Sequence, residues 1–343
     1  MKSFMLLLFF LAGCSAWKQK DFEKELDKPT SEAIPQVEVK EKDKKLLEKF
    51  EVKSEPVVAN KVQEPVKQKK ISAPKVVEAS KKMEHPKKSE FPDDYPEELK
   101  VLNAKAQKVW AVYKPNHILN QKMYLNIHYL GMTVGKIVVN NNGKKMMNGK
   151  EVWHFHSRFK SAPFYSNIYE LDDTVDTYVT TDQFLSNRYS LTQRESSMDV
   201  DDLQIYDREQ LKTFWFYKKK KKTDDKPKSK TVERPMPYYS IDPFSIVFFY
   251  QGLPLNAGDI YEIPIVNKGK ILMLKSTVEG REVIDTEYGS KKSIRVHAVT
   301  QYSGDTLKSG DLLFWFSDDA ERKLLKAQAK IKIGSVTADI VKD

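Results

Sequence analysis

The sequence predicts a mainly β domain, built as a curled antiparallel sheet or barrel-like meander, with an N-terminal amphipathic helix, one buried helix and a disordered linker in front. Apolar and polar residues alternate with a period of two in many short segments, which is typical of strands that bury one face. Turn residues rather than helices separate most of these segments, which disfavours a doubly wound parallel sheet. A sheet of this size must curl, and we expect a closed or nearly closed barrel because open edges promote aggregation.

The predicted strands form two groups, one on each side of a helical segment at 241–251. Residues 140–143 (NNNG) and 148–149 (NG) carry the turn signals between the earliest strands. The predicted strands are 123–129, 152–159, 167–171, 175–180, 184–192, 204–206, 212–217, 260–266, 271–278, 293–302, 312–317, 323–333 and 335–341.

An amphipathic helix is predicted at the start of the β-rich domain. It begins near Asp94 and Pro96, and its apolar residues, among them Leu99, Ala106 and Trp110, recur on one face. We expect this helix to close one end of the domain rather than to act as a lid over a cavity.

A second helix is predicted at 241–251. It begins with an aspartate and a proline and is apolar almost all round, so it must be buried. It either fills the concave face of the sheet as core or lines an apolar pocket. The candidate ligand-binding residues of such a pocket are Phe244, Phe248, Trp153 and Phe155.

Residues 1–13 have the layout of a lipoprotein signal peptide. Lys2 precedes an apolar run at 4–12, which is shorter than the roughly 20 residues of a membrane-spanning helix. The run ends in Leu-Ala-Gly-Cys, which resembles the lipobox of bacterial lipoproteins, so Cys14 is the predicted site of lipid attachment. Cys14 is also the only cysteine, and three acyl chains such as palmitate hold a protein firmly in a membrane. By resemblance to lipoprotein sorting rules, Ser15 points to the outer membrane.

Residues 14–92 are predicted to be a lipid-anchored, disordered linker. The segment consists mainly of Lys, Glu, Pro, Val and Ser, and it lacks the apolar surface needed to offset the entropy of ordering. A short helical pattern at 43–51 is expected to be disordered as well, because so short a helix is marginal in isolation. The β-rich globular domain is therefore assigned to 93–343.

The chain is basic, with a formal net charge of +10 and an isoelectric point near 9.2. Anionic lipid headgroups or cell-wall polymers are the expected partners, and nucleic acid is not, because an exported and tethered protein rarely meets it. Residues 218–230 are rich in lysine. We interpret them as a solvated hairpin loop, and the alternative is a surface that meets anionic headgroups.

Several short motifs carry a family resemblance. They are Gly131-x-x-x-Gly135, Asp242-Pro243-Phe244-Ser245, Gly258-Asp259, Leu313-x-Trp315-Phe316-Ser317-Asp318-Asp319 and Gly334-Ser335-Val336. Over about 115–341 the chain resembles the bacterial exported family called domain of unknown function 3108. The resemblance implies no catalytic residues, because the family is not defined by an activity.

We expect no enzymatic activity, no catalytic residue and no cofactor. The chain has no G-x-S-x-G motif, and its one cysteine is assigned to the lipid. The pair Asp318-Asp319 is interpreted as a turn acceptor rather than as two catalytic carboxylates.

A metal site is the remaining chemical possibility. His154 and His156 point to the same face of one strand, and Asp172, Asp173 and Asp176 follow. Zinc needs three or four ligands, and no third histidine is near in sequence. We therefore interpret the pair as part of a sheet surface and predict no metal.

Two functional hypotheses follow. In the first, an outer-membrane-anchored, periplasm-facing lipoprotein binds an apolar or amphipathic ligand, such as a lipid or acyl chain, inside a barrel-like domain. In the second, the interior is filled, and the domain is an envelope interaction or scaffold module that binds a protein partner or the cell wall. A cavity lined by Phe244 and Phe248 distinguishes the first hypothesis from the second.

Overall fold

The structure is a computed structural model that covers most of the predicted domain and a short part of the predicted linker. The described residues are 35–52, 91–117, 122–302, 305–331 and 333–342. At 301–310 the description is limited to the backbone. The predicted signal peptide, Cys14 and most of the predicted linker lie outside the described residues.

The described residues form one antiparallel sheet of fourteen strands, which confirms the predicted fold class. The first eight strands are β1 (Lys122–Tyr129), β2 (Met132–Met147), β3 (Lys150–Ser161), β4 (Asp172–Thr180), β5 (Ser186–Arg194), β6 (Met198–Asp207), β7 (Lys212–Lys221) and β8 (Lys228–Pro235). The other six are β9 (Ile260–Asn267), β10 (Lys270–Thr286), β11 (Gly289–Tyr302), β12 (Asp305–Ser317), β13 (Leu324–Lys330) and β14 (Ser335–Val341).

The sheet consists of two meanders, β1–β8 and β9–β14, which join where β1 pairs with β14. This pairing runs from Tyr124 opposite Val341 to Tyr129 opposite Val336. The first and last strands of the domain therefore lie side by side in the middle of the sheet.

The sheet curls without closing, because no ladder in the described residues joins the edge strands β8 and β9. Hydrogen bonds from β6 reach the β9–β10 hairpin instead. The Tyr206 hydroxyl donates to the Val266 carbonyl at 2.9 Å, and the Lys268 backbone N–H donates to the Gln204 side chain at 2.8 Å. These bonds hold the two ends of the sheet together.

The two turn predictions near β2 have different outcomes. Asn148 and Gly149 connect β2 to β3 at φ values of 49° and 69°, as a type I′ hairpin requires. Residues 140–143 instead lie inside β2, whose pairing with β3 shifts register after Asn141. The Asn141 side chain accepts the Gly143 backbone N–H at 3.0 Å. The asparagine-rich segment is therefore a β-bulge, and the predicted turn there is wrong.

Four helices lie in the described residues: α1 (Glu41–Lys49), α2 (Glu97–Val112), α3 (Pro163–Ser166) and α4 (Ile246–Phe249). None of these is long and apolar enough to cross a bilayer. The segment predicted as a strand at 167–171 follows α3 and makes only an isolated bridge at Leu171. The predicted amphipathic helix is confirmed as α2, although Pro96 rather than Asp94 occupies its N-cap.

The helix predicted at 241–251 is buried but much shorter than expected. Only Ile246–Phe249 is α-helical, and a single 3-10 turn follows at Tyr250–Gly252. The Asp242 carboxylate accepts the backbone N–H groups of Phe244 and Ser245 at 2.9 and 2.8 Å. These bonds fix a turn at 242–245 directly before the helix, whose own N-cap is Ser245 and has no side-chain cap hydrogen bond, so the predicted cap at Asp242 is displaced by one turn.

Part of the predicted linker is ordered, which corrects the prediction of disorder at 43–51. Residues 41–49 form α1, and Phe50 behind it is only 2% exposed. Phe50 packs with Tyr178 and Phe216 on the outer face of the sheet, and the Lys49 ammonium lies 3.3 Å from the Asp207 carboxylate. A short helix that is marginal alone is stabilised here by tertiary packing.

The lysine-rich segment at 218–230 is mostly paired strand rather than loop. Lys218 on β7 is opposite Ser229 on β8, and Lys219 is opposite Lys228. The connection itself spans only 222–227, so the prediction of a long solvated loop is wrong.

Candidate functional site

The interior of the curled sheet is the site that the sequence analysis proposed for a ligand. Phe155 on β3 and Phe248 on α4 lie there with stacked rings, 3.9 Å between centroids, and are only 1% and 3% exposed. Trp153 is also buried, and half-buried Phe244 packs edge-on against Phe248 at 5.5 Å. The structure brings the predicted residues together, but Phe155 and Phe248 are packed core and face other protein groups.

A buried carboxylate fixes this core to the sheet. The Asp242 carboxylate accepts hydrogen bonds from the hydroxyls of Thr177 on β4 and Ser186 on β5, each at 2.6 Å. The Ser245 hydroxyl donates to the same oxygen. With the two backbone donors before α4, five donors converge on one carboxylate, and charge-assisted bonds of this kind are strong. These bonds hold the segment that carries Phe248 against the sheet, so we assign Asp242 a structural role.

An open groove lies at one end of the curled sheet, between the end of α2, the 3-10 turn and the β12–β13 connection. Its volume is about 860 Å³. The groove, called the end groove below, is lined by residues 111–112, 114–116, 251–254, 318–320 and 322. The Asn116 amide donates to the Ala320 carbonyl at 2.7 Å, and the Lys114 backbone N–H donates to the Gly252 carbonyl at 2.8 Å. Three distant segments are thereby held in one surface.

A half-buried histidine lies beside the end groove. Burial lowers the pKa of His117 to about 4, so its imidazole is neutral near pH 7. The Tyr113 hydroxyl lies 2.8 Å from His117 Nε2, and His117 Nδ1 lies 3.2 Å from the Gln251 side-chain oxygen Oε1. In a neutral ring one nitrogen accepts and the other donates, so the tyrosine donates to Nε2 and Nδ1–H donates to the glutamine.

Carboxyl groups with raised pKa values lie at another position of the inner face. Burial raises the pKa of Asp173 to about 7. The Gln193 amide nitrogen donates to the carboxylates of Asp173 at 3.0 Å and Glu195 at 2.9 Å. Perturbed acids can mark functional sites, but a shared amide donor is equally typical of a structural network.

The outer face of the sheet carries a cluster of two histidines and one aspartate. Asp176 on β4 is the direct cross-strand neighbour of His156 on β3. Asp176 Oδ1 lies 2.7 Å from His154 Nε2 and 2.8 Å from His156 Nδ1. All three residues are buried, and their potential ligand atoms lie within 4.8 Å of one another. We call these three residues the His–Asp–His cluster.

The electrostatics of the His–Asp–His cluster favour an ionised carboxylate. Although burial opposes the charge, hydrogen bonds from both histidines lower the pKa of Asp176 to about 2. The ring of Tyr178 stacks on His154 with 4.4 Å between centroids. This contact fixes the orientation of the imidazole.

The outcome of the histidine prediction is mixed. The alternation on β3 correctly placed His154 and His156 on one face, but the interpretation as an open sheet surface is wrong because both are buried. Of the three aspartates considered, Asp176 joins the cluster, whereas Asp172 pairs with Arg158 at 2.6 Å. The cross-strand register decides which carboxylate approaches, and no local sequence pattern reveals that register.

The sequence analysis missed the end groove. Its lining residues come from connections after α2, after α4 and after β12, which are far apart in sequence. No periodicity or motif joins them. The aspartate pair predicted as a turn acceptor does lie there, and Asp319 accepts the Glu321 backbone N–H at 3.0 Å.

The geometry defines a curled, barrel-like β-domain with a packed interior. Residues 124–341 match the family described as Protein of unknown function (DUF3108), and the chain belongs to that family. This match confirms the resemblance seen in the sequence. Comparison with curated proteins gives no match.

Two solved structures resemble the chain at low identity. One is a beta-barrel-like protein of domain of unknown function DUF1849 from Brucella abortus, with 10% identity, a TM-score of 0.42 and coverage of 66% of this chain and 97% of that one. The other, described as exported with a YmcC-like fold, is from Bacteroides fragilis, with 10% identity, a TM-score of 0.30 and coverage of 67% and 97%. At these TM-scores the similarity carries no functional argument.

Proposed function

We infer that this chain is a non-enzymatic interaction module of the bacterial cell envelope, anchored to the outer membrane through a lipid on Cys14 and binding a protein partner from the periplasmic side. The observation that carries the proposal is the packed interior. The stacked Phe155 and Phe248 rings are 1% and 3% exposed, so other protein atoms already cover the surfaces that an acyl chain needs. Binding is then assigned to the outside of the domain.

The end groove is the surface proposed for the partner. It is concave and combines apolar groups such as Val112 and Leu253 with charged groups such as Lys114 and Arg322. Mixed apolar and charged lining suits a protein segment, because apolar contacts supply affinity and the charges supply orientation. A lipid tail alone makes no use of the charges.

The test is photo-crosslinking in living cells from two positions on the same helix. A photoreactive residue is placed at Val112, which lines the end groove and is 42% exposed, or at Val101, which lies on α2 outside the groove and is 51% exposed. We expect a discrete protein adduct from position 112 and none from position 101. Equal labelling from both positions, or none from 112, contradicts the proposal.

Two further outcomes identify the alternatives directly. An adduct at position 112 that glycan-degrading enzymes dissolve indicates the cell wall as the partner. Native mass spectrometry of the full chain in detergent tests the lipid hypothesis, which predicts a non-covalent lipid that co-purifies stoichiometrically. If the interior is packed, the only lipid detected should be the acyl chains attached covalently to Cys14.

A further inference from the structure

The His–Asp–His cluster combines three features that favour metal binding. Its groups come from two hydrogen-bonded strands, so the sheet fixes their relative position. All three side chains are buried, whereas His297, which lies beside Asp311 and Glu279, is about one-third exposed. The donor set of two imidazoles and one carboxylate is one that zinc commonly takes.

We propose that His154, His156 and Asp176 bind a zinc ion. His154 supplies Nε2, His156 supplies Nδ1 and Asp176 supplies Oδ1, and a water molecule completes the tetrahedron. The ion connects β3 to β4 on the outer face of the sheet. This inference does not depend on the partner proposed for the end groove.

The separations of the ligand atoms fit this proposal. In a tetrahedral zinc site with bonds of about 2.0–2.1 Å, ligand atoms lie roughly 3.3–3.4 Å apart. The nitrogen–oxygen separations in the cluster are 2.7 and 2.8 Å, and all three atoms lie within 4.8 Å. The two hydrogen bonds must therefore open by about half an ångström.

The proton of His154 has a defined place to go when zinc binds. Without metal, each imidazole presents N–H to the carboxylate, whereas zinc takes the nitrogen lone pair and requires that nitrogen to be unprotonated. A neutral histidine meets this requirement by moving its proton to the other ring nitrogen. For His154 that nitrogen is Nδ1, which lies 3.5 Å from the Asn142 side-chain amide. A flipped Asn142 amide presents its oxygen as the acceptor, a typical outer contact of a zinc-bound histidine.

The surrounding charges are compatible with a cation. Arg158 follows on the same face of β3, but it forms a two-pronged pair with Asp172 at 2.7 and 2.6 Å. Lys160 lies 3.7 Å from the same carboxylate. Arg188 on β5 lies over the Tyr178 ring, 5.9 Å from its centroid. The Asp176 carboxylate lies directly between the two imidazoles and offsets part of the charge of the ion.

The experiment uses the full chain in detergent, stripped with a chelator and titrated with Zn²⁺ by calorimetry. We expect one tight site per chain. His156→Gln and Asp176→Asn, which keep side-chain size, should weaken binding by at least about 100-fold, the upper range for outer contacts of a zinc site. His297→Gln removes a partly exposed histidine next to two carboxylates and should leave the affinity unchanged.

A measurement on the wild-type chain covers the case in which the variants do not fold. Nitrogen NMR of the imidazoles distinguishes which ring nitrogen binds metal. Of the six histidines, we expect Zn²⁺ to shift two, one through Nε2 and the other through Nδ1. Absence of Zn²⁺ uptake, affinity that persists in both cluster variants, or shifts confined to other histidines overturns the proposal.

Discussion

At the scale of single residues, burial decides the chemistry of the polar groups. The buried Asp242 carboxylate accepts five hydrogen bonds and so joins the core to the sheet. His117 stays neutral near pH 7 because burial opposes its charge. Burial also raises the pKa of Asp173 to about 7, because it opposes the charge of the ionised carboxylate. His117 and Asp173 therefore make the stability of the domain depend on pH.

The first prediction concerns His117 and acid stability. Its pKa is about 4 in the folded chain and about 6.5 when unfolded, so the unfolded state binds the proton first as pH falls. Stability contributed by the neutral ring is therefore complete above pH 6.5 and is lost between about pH 6.5 and 4, by about 3 kcal/mol. Urea unfolding from pH 7 to 4 should show this loss in the wild type and not in His117→Gln. Parallel curves for the two proteins contradict the assignment.

The second prediction concerns Phe248 and separates core from pocket. Because Phe248 is stacked on Phe155 and 3% exposed, Phe248→Ala should lower the free energy of unfolding by about 3–5 kcal/mol. The melting temperature should fall by roughly 6–20 °C. Val283→Ala, at a site that is 63% exposed, should change stability by less than about 0.5 kcal/mol. A small effect at Phe248 combined with loss of a bound lipid supports the pocket instead.

At the scale of elements, neighbours override weak local preferences. Helix α1 is too short to be stable alone, yet it lies against the sheet because Phe50 enters an apolar cluster with Tyr178 and Phe216. The helix at 241–251 shows the opposite effect. Its pattern favours a long helix, but the buried Asp242 contacts and the packing of the core leave only one α-helical turn followed by a 3-10 turn.

The third prediction concerns the docking of α1. Phe50→Ala removes the most deeply buried side chain of this segment, so residues 35–52 should become cleavable by protease at concentrations that leave the wild-type segment intact. The sheet should keep most of its melting temperature, because its larger core, which includes Phe155 and Phe248, does not contain Phe50. Glu48→Ala, an exposed position on the same helix, is the matched control. Equal cleavage of both variants shows that Phe50 does not hold the helix.

At the scale of the whole molecule, the domain is one sheet whose ends approach without pairing. The β9–β10 hairpin contacts β6 through Tyr206 and Gln204, and α2 contributes Ala106 and Trp110 to the main core. Because side chains of the domain itself fill the interior, the surfaces available for binding are the outer face of the sheet and the end groove. The proposed anchor at Cys14 precedes this domain in the chain.

The fourth prediction concerns the anchor. Cys14→Ser should abolish lipid attachment and release the protein from the outer membrane fraction, because the acyl chains supply the membrane affinity. Thermal unfolding of the β-domain should be unchanged. Labelling with a radioactive fatty acid, compared between wild type and variant, checks the attachment directly. A variant that still fractionates with the outer membrane, together with an unlabelled wild type, contradicts the anchoring proposal.

The sequence by itself determined the period-two strands, the amphipathic α2 and the Asn148-Gly149 hairpin, because these depend on contacts between near neighbours in the chain. Its short motifs also indicated the family. Only the tertiary structure decided the β-bulge at Asn141, the docking of α1, the packing of Phe155 against Phe248 and the approach of Asp176 to the two histidines. Strand register and the meeting of distant segments set these features. Alternation along one strand predicts which face of the sheet a side chain occupies. It does not predict which residue of a neighbouring strand lies opposite that side chain.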